Sequence, residues 1–95
     1  MPDYIMLTKL TESGAETVKR NPERILEVDK ELEAMGVKVL HQWAVLGAYD
    51  FVNVVEAEDD IAVARASLEL GARGTIRIET MPAISVQELV GRLGD

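Results

Sequence analysis

Between residues 3 and 10 apolar side chains occupy both parities of the chain, with Ile5 and Leu7 on one side and Tyr4, Met6 and Leu10 on the other. That pattern predicts a strand with apolar surroundings on both faces. Residues 11–20 are mostly polar and contain Gly14, so a loop with a short helical turn is expected. Asn21-Pro22 reads as a helix start, because Asn can satisfy orphan N–H groups and proline fits the first helical position. Ile25, Val28, Leu32 and Met35 then recur every three or four residues on one face, with Glu27, Lys30 and Glu31 opposite, and Gly36 supplies the left-handed residue that closes a helix.

Alternation resumes over residues 37–46, with Val37, Val39, His41, Trp43 and Val45 on one face and Lys38, Leu40, Gln42, Ala44 and Leu46 on the other. A tight connection at Gly47-Ala48 leads to a strand over 51–56, which predicts an antiparallel hairpin. Asp59-Asp60 starts a helix over 61–70 with Ile61, Ala64 and Leu68 as its seam and Gly71 as its stop. A last strand, 74–82, sets Ile76 and Ile78 against Arg77, Glu79 and Met81. After it, Ser85-Val86-Gln87-Glu88 forms a capping box, with Ile84 and Leu89 spaced to staple a short C-terminal helix.

Strand, helix, strand, strand, helix, strand is the order of a ferredoxin-like βαββαβ fold, an α+β class with a four-stranded antiparallel sheet. No repeat, linker or low-complexity tract interrupts it, so residues 1–95 are read as a single domain. Two helices cover only one face of such a sheet. Apolar residues on the second face would form an exposed patch, and a second copy packed sheet to sheet is the simplest cover, giving a homodimer or a larger homo-oligomer.

Composition narrows the classes. There is no cysteine, which removes disulfides, thiolate metal sites and a Cys nucleophile, and points to a reducing, cytoplasmic setting. The net charge is −7, from 17 acidic and 10 scattered basic residues, which argues against nucleic acid and anionic membranes as partners. No apolar run approaches the roughly 20 residues that span a bilayer. Phosphate-cradling and Gly-x-Ser-x-Gly motifs are absent, and no cofactor or metal is expected.

Tyr4-Ile5-Met6-Leu7, Thr11-Glu12-Ser13-Gly14, Asn21-Pro22-Glu23-Arg24, Leu46-Gly47-Ala48-Tyr49-Asp50 and Ile76-Arg77-Ile78-Glu79-Thr80 together resemble the GYD-domain family up to about Ala83, with Ala48 set between Gly47 and Tyr49. That resemblance implies a dimeric α/β barrel, in which two ferredoxin-like sheets close on each other, and no known activity. The Gly-x-Tyr-Asp turn followed by a strand and Glu58-Asp59-Asp60 is also similar to the effector-binding domain of Lrp/AsnC-type regulators. Since this chain starts at its first strand, that similarity implies a stand-alone effector-binding module.

Six residues are candidates for chemistry. His41 and Trp43 emerge side by side, and an imidazole can move protons at neutral pH. As a lone histidine, His41 has too few partners for zinc, and the plainer reading is an interface pair. Gly47, Tyr49 and Asp50 are explained by turn chemistry, with a positive φ at Gly47 and turn N–H groups bonded by Asp50. A functional reading sets the Tyr49 hydroxyl and Asp50 carboxylate at a pocket mouth. Arg77 and Glu79 share a face, with Asn53 expected near them, and would form an ion pair unless Arg77 grips a ligand carboxylate. The leading expectation is a small-molecule-binding homodimer, in which Trp43, Tyr49, Asp50, Arg77 and Glu79 bind the ligand. The alternatives are a cofactor-independent enzyme, monooxygenase- or isomerase-like, using His41 and Tyr49, and a purely structural interaction module.

Overall fold

Backbone pairing brings the four expected strands into one antiparallel sheet. The structure, a computed structural model, describes residues 1–94. Its elements are β1 (Asp3–Leu10), α1 (Glu12–Arg20), α2 (Arg24–Ala34), β2 (Lys38–Ala44), β3 (Phe51–Glu56), α3 (Asp60–Gly71), β4 (Ile76–Ala83) and α4 (Val86–Leu93). The strand order β2-β3-β1-β4 is that of the ferredoxin-like fold.

Register decides which side chains share a face, because residues directly opposite each other in neighbouring strands point the same way. Tyr4 opposes Val55 and Pro82, Met6 opposes Asn53 and Thr80, and Thr8 opposes Phe51 and Ile78. These residues face the helices. Tyr4, Met6 and Val55 meet Leu32 of α2 and Val63, Ala66 and Leu70 of α3 in the buried core. The opposite face carries Ile5, Leu7, Val52, Val54, Arg77, Glu79 and Met81, and among the described residues no helix packs over it.

Several expectations need correction. Residues 11–20 are a helix rather than a loop. Thr11 caps it by accepting the Gly14 N–H at 3.2 Å, and Gly14 serves close packing. A Cβ at Gly14 would stand 1.9 Å from the Thr75 carbonyl oxygen, so only glycine lets α1 approach the backbone entering β4. Asn21 does not cap α2 with its side chain. Its N–H closes α1 on the Thr17 carbonyl at 2.8 Å, leaving α2 to begin at Arg24 on the Asn21 carbonyl at 3.0 Å.

The alternation along β2 is broken by a bulge: Val39 opposes Val55, yet His41 opposes Val54. The extra residue reverses parity. Val37 and Val39 therefore face the helices while His41 and Trp43 face away with Val52 and Val54, and Gln42 turns inward to donate to Asp29 Oδ1 at 2.9 Å. The seam of α3 is Val63, Ala66 and Leu70, whereas Ile61 and Leu68 are 67% and 75% exposed. Ser67, beside Ala66, bonds Thr80 of β4 at 3.0 Å.

The hairpin joining β2 and β3 is wider than a two-residue turn and runs over residues 45–50. Gly47 has φ of +122°, as the turn requires. Asp50 ties the loop to the sheet: its carbonyl accepts from Val45, its N–H donates to Thr8, and its carboxylate accepts the Leu10 N–H at 2.8 Å.

Two measurements check this packing. Gly14→Ala would stabilise an ordinary helix by up to about 1 kcal/mol. Against the Thr75 carbonyl it is expected instead to destabilise by about 1–3 kcal/mol, read from the urea midpoint. The Tyr4 hydroxyl donates to Asp60 Oδ1 at 2.6 Å, and this bond to a carboxylate, with burial, pushes the phenol up to about 12. Because the folded value lies above the ordinary value of 10.0, the stabilisation is fully present below pH 10 and is lost as pH rises through about 12. Tyr4→Phe should flatten that alkaline loss in a plot of urea midpoint against pH.

Candidate functional site

A cavity of about 320 Å³ lies between the helix face of the sheet and the helices above it. Its floor is Met6, Thr8 and Leu10 of β1, Phe51 and Asn53 of β3, and Ile76 and Ile78 of β4. The roof is Gly14, Thr17 and Val18 of α1 and Ile25, Val28 and Leu32 of α2. The volume falls at the lower end of ordinary ligand pockets.

The chemistry of this wall is mostly hydrocarbon with one anomaly. Asn53 is 6% exposed, and its Oδ1 is buried without a hydrogen-bond partner among the described residues. An unpaired buried amide costs about 1–3 kcal/mol, so a stability-driven sequence would favour an apolar residue here. Thr8, also buried, lies diagonally from Asn53 across the β1–β3 pair. At the rim, Glu31 holds α2 to the end of α3 by pairing with both Arg24, at 2.9 Å, and Arg73. These guanidiniums, Arg73 first, hold the Glu31 carboxyl below its ordinary range. Arg24 also reaches Glu27 at 3.2 Å, so the rim sets two acids against two bases.

None of the six candidates from sequence lines this cavity. Five belong to the open side of the sheet. His41 and Trp43 stack there with ring centroids 5.6 Å apart and planes 15° from parallel, and Trp43 is 52% exposed. Tyr49 donates to Glu79 Oε2, and that bond to a carboxylate raises its phenol from the ordinary value. Among the described residues, Arg77 has no ion-pair partner and does not meet Glu79; it stands opposite Lys9. The sixth, Asp50, spends its carboxylate on the Leu10 N–H. Asn53 is on the other face from Arg77 and Glu79, which corrects the expected proximity. The missed signal was a single Asn at an inward position of a strand otherwise rich in valine.

A third feature is α4, capped by Ser85, which accepts the Glu88 N–H at 3.1 Å. Val86, Leu89, Val90 and Leu93 make one stripe along it, and it buries no residue. Among the described residues no three His, Asp or Glu side chains gather as a metal set, and no helix is long and apolar enough to cross a membrane.

The family model for the GYD domain matches residues 4–91. The chain belongs to the GYD family. It is 57% identical over 94 residues, 98% of this chain and 99% of the other, to the glutamine synthetase and cystathionine beta-lyase binding protein of Thermus thermophilus. Among solved structures, TTHA0845 of Thermus thermophilus overlays with a TM-score of 0.57 at 19% identity, covering 90% of this chain and 96% of that one. A dimeric ferredoxin-like protein from an uncultured marine organism overlays with a TM-score of 0.41 at 10% identity, covering 90% and 93%. The first of these overlays supports the fold alone.

Asn53→Leu keeps the branched shape and the number of heavy atoms, removes the unpaired oxygen, and places its added bulk against the cavity. It is expected to raise the stability of the unliganded chain by about 1–2 kcal/mol in urea unfolding.

Proposed function

We propose that this GYD-family chain is a non-catalytic binding protein of the cytoplasm that attaches, as a homodimer, to a metabolic enzyme of the glutamine synthetase or cystathionine β-lyase kind. The observation that carries this reading is the 57% identity, running end to end along both chains, with a relative named for binding those two enzymes.

Dimerisation is supported by the open sheet face. Ile5, Leu7, Val52 and Val54 form its apolar centre, flanked by Trp43 on one edge strand and Met81 on the other. A contiguous apolar surface of this kind favours association. Its charged side chains are spread along its length: Lys9 and Arg77 are neighbours at one end, Asp3 and Glu56 at the other, where Lys38 also stands opposite Glu56. A two-fold that reverses the strands of one copy over those of the other brings Lys9 and Arg77 of each toward Asp3 and Glu56 of its partner. His41, Tyr49 and Glu79 then lie at or near this contact, and the α4 stripe is left as apolar surface for the enzyme.

A second reading is favoured by the cavity. Its size, hydrocarbon wall and unpaired Asn53 amide suit a small molecule held between sheet and helices.

Sedimentation velocity tests the first reading in two steps. At low micromolar concentration the chain alone should run as a dimer and Val54→Asp as a single chain; a wild-type monomer would overturn the dimer. Mixed with purified glutamine synthetase and cystathionine β-lyase from the organism encoding it, the chain should travel with at least one of them. If it travels with neither, the enzyme-binding reading is lost.

A further inference from the structure

Asn53 gives the cavity a chemical preference. Two charged side chains line it, Arg24 and Arg73, and their charges are already answered: Arg24 by Glu27 and Glu31, and Arg73 by Glu31. A charged ligand would have to break these pairs or carry its charge unpaired into a hydrocarbon chamber, where desolvation opposes it. A wholly apolar ligand would fill the space but leave the Asn53 oxygen as it is, still without a partner. The occupant that removes both penalties is neutral, mainly hydrocarbon, and tipped with one group able to donate a hydrogen bond.

The amide of Asn53 strengthens the choice. A side-chain amide offers an acceptor and a donor next to each other, and rotation about its last bond exchanges them. A primary amide on the ligand matches that pair in either orientation. The Thr8 hydroxyl, diagonal to Asn53 on the same cavity floor, can add a further donor or acceptor.

We infer that the cavity between sheet and helices is a binding site for a small uncharged molecule with an apolar body and a carboxamide or similar donor-bearing head, anchored by Asn53 and assisted by Thr8. This rests on the second reading above, that the cavity takes a small molecule, and it is independent of enzyme binding. Apolar contacts would come from Met6, Val28, Leu32 and Ile78, which line the same chamber. The volume of about 320 Å³ leaves room for a six-carbon chain.

The experiment compares three probes of equal chain length, hexanamide, hexanoate and hexylammonium, by chemical-shift titration of the full chain and of Asn53→Leu. Hexanamide is expected to shift the signals of Asn53, Thr8 and Leu32 and to bind at least about tenfold more tightly than either charged probe, the worth of one buried hydrogen bond plus the avoided desolvation. In Asn53→Leu that preference should shrink by about tenfold. If all three probes bind the cavity equally and Asn53→Leu changes nothing, the ligand class is wrong while the cavity stands as a site. If no probe shifts any cavity signal, the small-molecule reading itself falls, and Asn53 is satisfied by water alone. If Asn53→Leu fails to fold, Thr8→Val serves instead, with loss of part of the hexanamide preference expected and an unchanged preference counting against the anchoring.

Discussion

Every strand residue must point to one face of the sheet or the other, and this chain has helices for only one face. Pairing fixes the parity of β1, β3 and β4 from end to end, so Tyr4, Met6 and Val55 are committed to the helices as firmly as Ile5, Leu7 and Val54 are committed away from them. Moving a strand by one residue would exchange the two sets entirely. The core, the cavity and the uncovered apolar surface are three consequences of that commitment. Even the bulge between Val39 and His41 serves it, keeping Val37 and Val39 in the core while placing His41 and Trp43 on the open side.

The helices do not settle onto the sheet uniformly. Close approach occurs at Gly14, where α1 meets the Thr75 backbone, and along Val63, Ala66 and Leu70, where α3 presents small and branched residues. Between these contacts α2 rests on Leu32 and is tied at its flank by Glu31 to Arg73. The cavity is the space this uneven seating leaves. Side chains lining a void give up dispersion contacts, and an unpaired amide within it adds a penalty of its own. A chain selected only for stability would have filled both.

Much of this was legible from sequence wherever one signal acted alone. The alternation of 3–10 and 51–56, the Ile25-Val28-Leu32-Met35 spacing and the Asp59 cap each follow from local geometry, and the element order then leaves one familiar topology. Errors arose where two causes met in one residue. Gly14 looked like a helix breaker because its close neighbour, Thr75, is distant in sequence. Asn21 had the right chemistry for one cap but was already used to end α1. A bulge adds one residue without any change in composition, so unbroken alternation put His41 and Trp43 on the wrong side of Val39. For α3, Ile61 and Leu68 drew attention from Val63 and Ala66, which pack with Leu70. The candidate residues followed the same bias. Aromatic and charged side chains mark themselves in a sequence, whereas Asn53 becomes unusual only when its oxygen is seen to have no partner.

The two surfaces suited to binding are back to back, and they share strands. Along β3, Val52 and Val54 face the open side while Asn53, between them, faces the cavity. β1 repeats the arrangement, with Met6 and Thr8 toward the cavity and Ile5, Leu7 and Lys9 away from it. Each of these residues shares a peptide plane with a neighbour on the opposite face, and the central position of β1 and β3 in the sheet denies them freedom to twist alone. A side chain that moves within the cavity can therefore be accommodated by its own rotamer, leaving the open face unchanged, or by the strand, in which case both faces move together. Packing selects between these responses. Met6 has several rotatable bonds and can adapt in place, but Asn53 is short, buried and opposed on both sides by Met6 and Gln42, so strain at Asn53 passes most directly into β3.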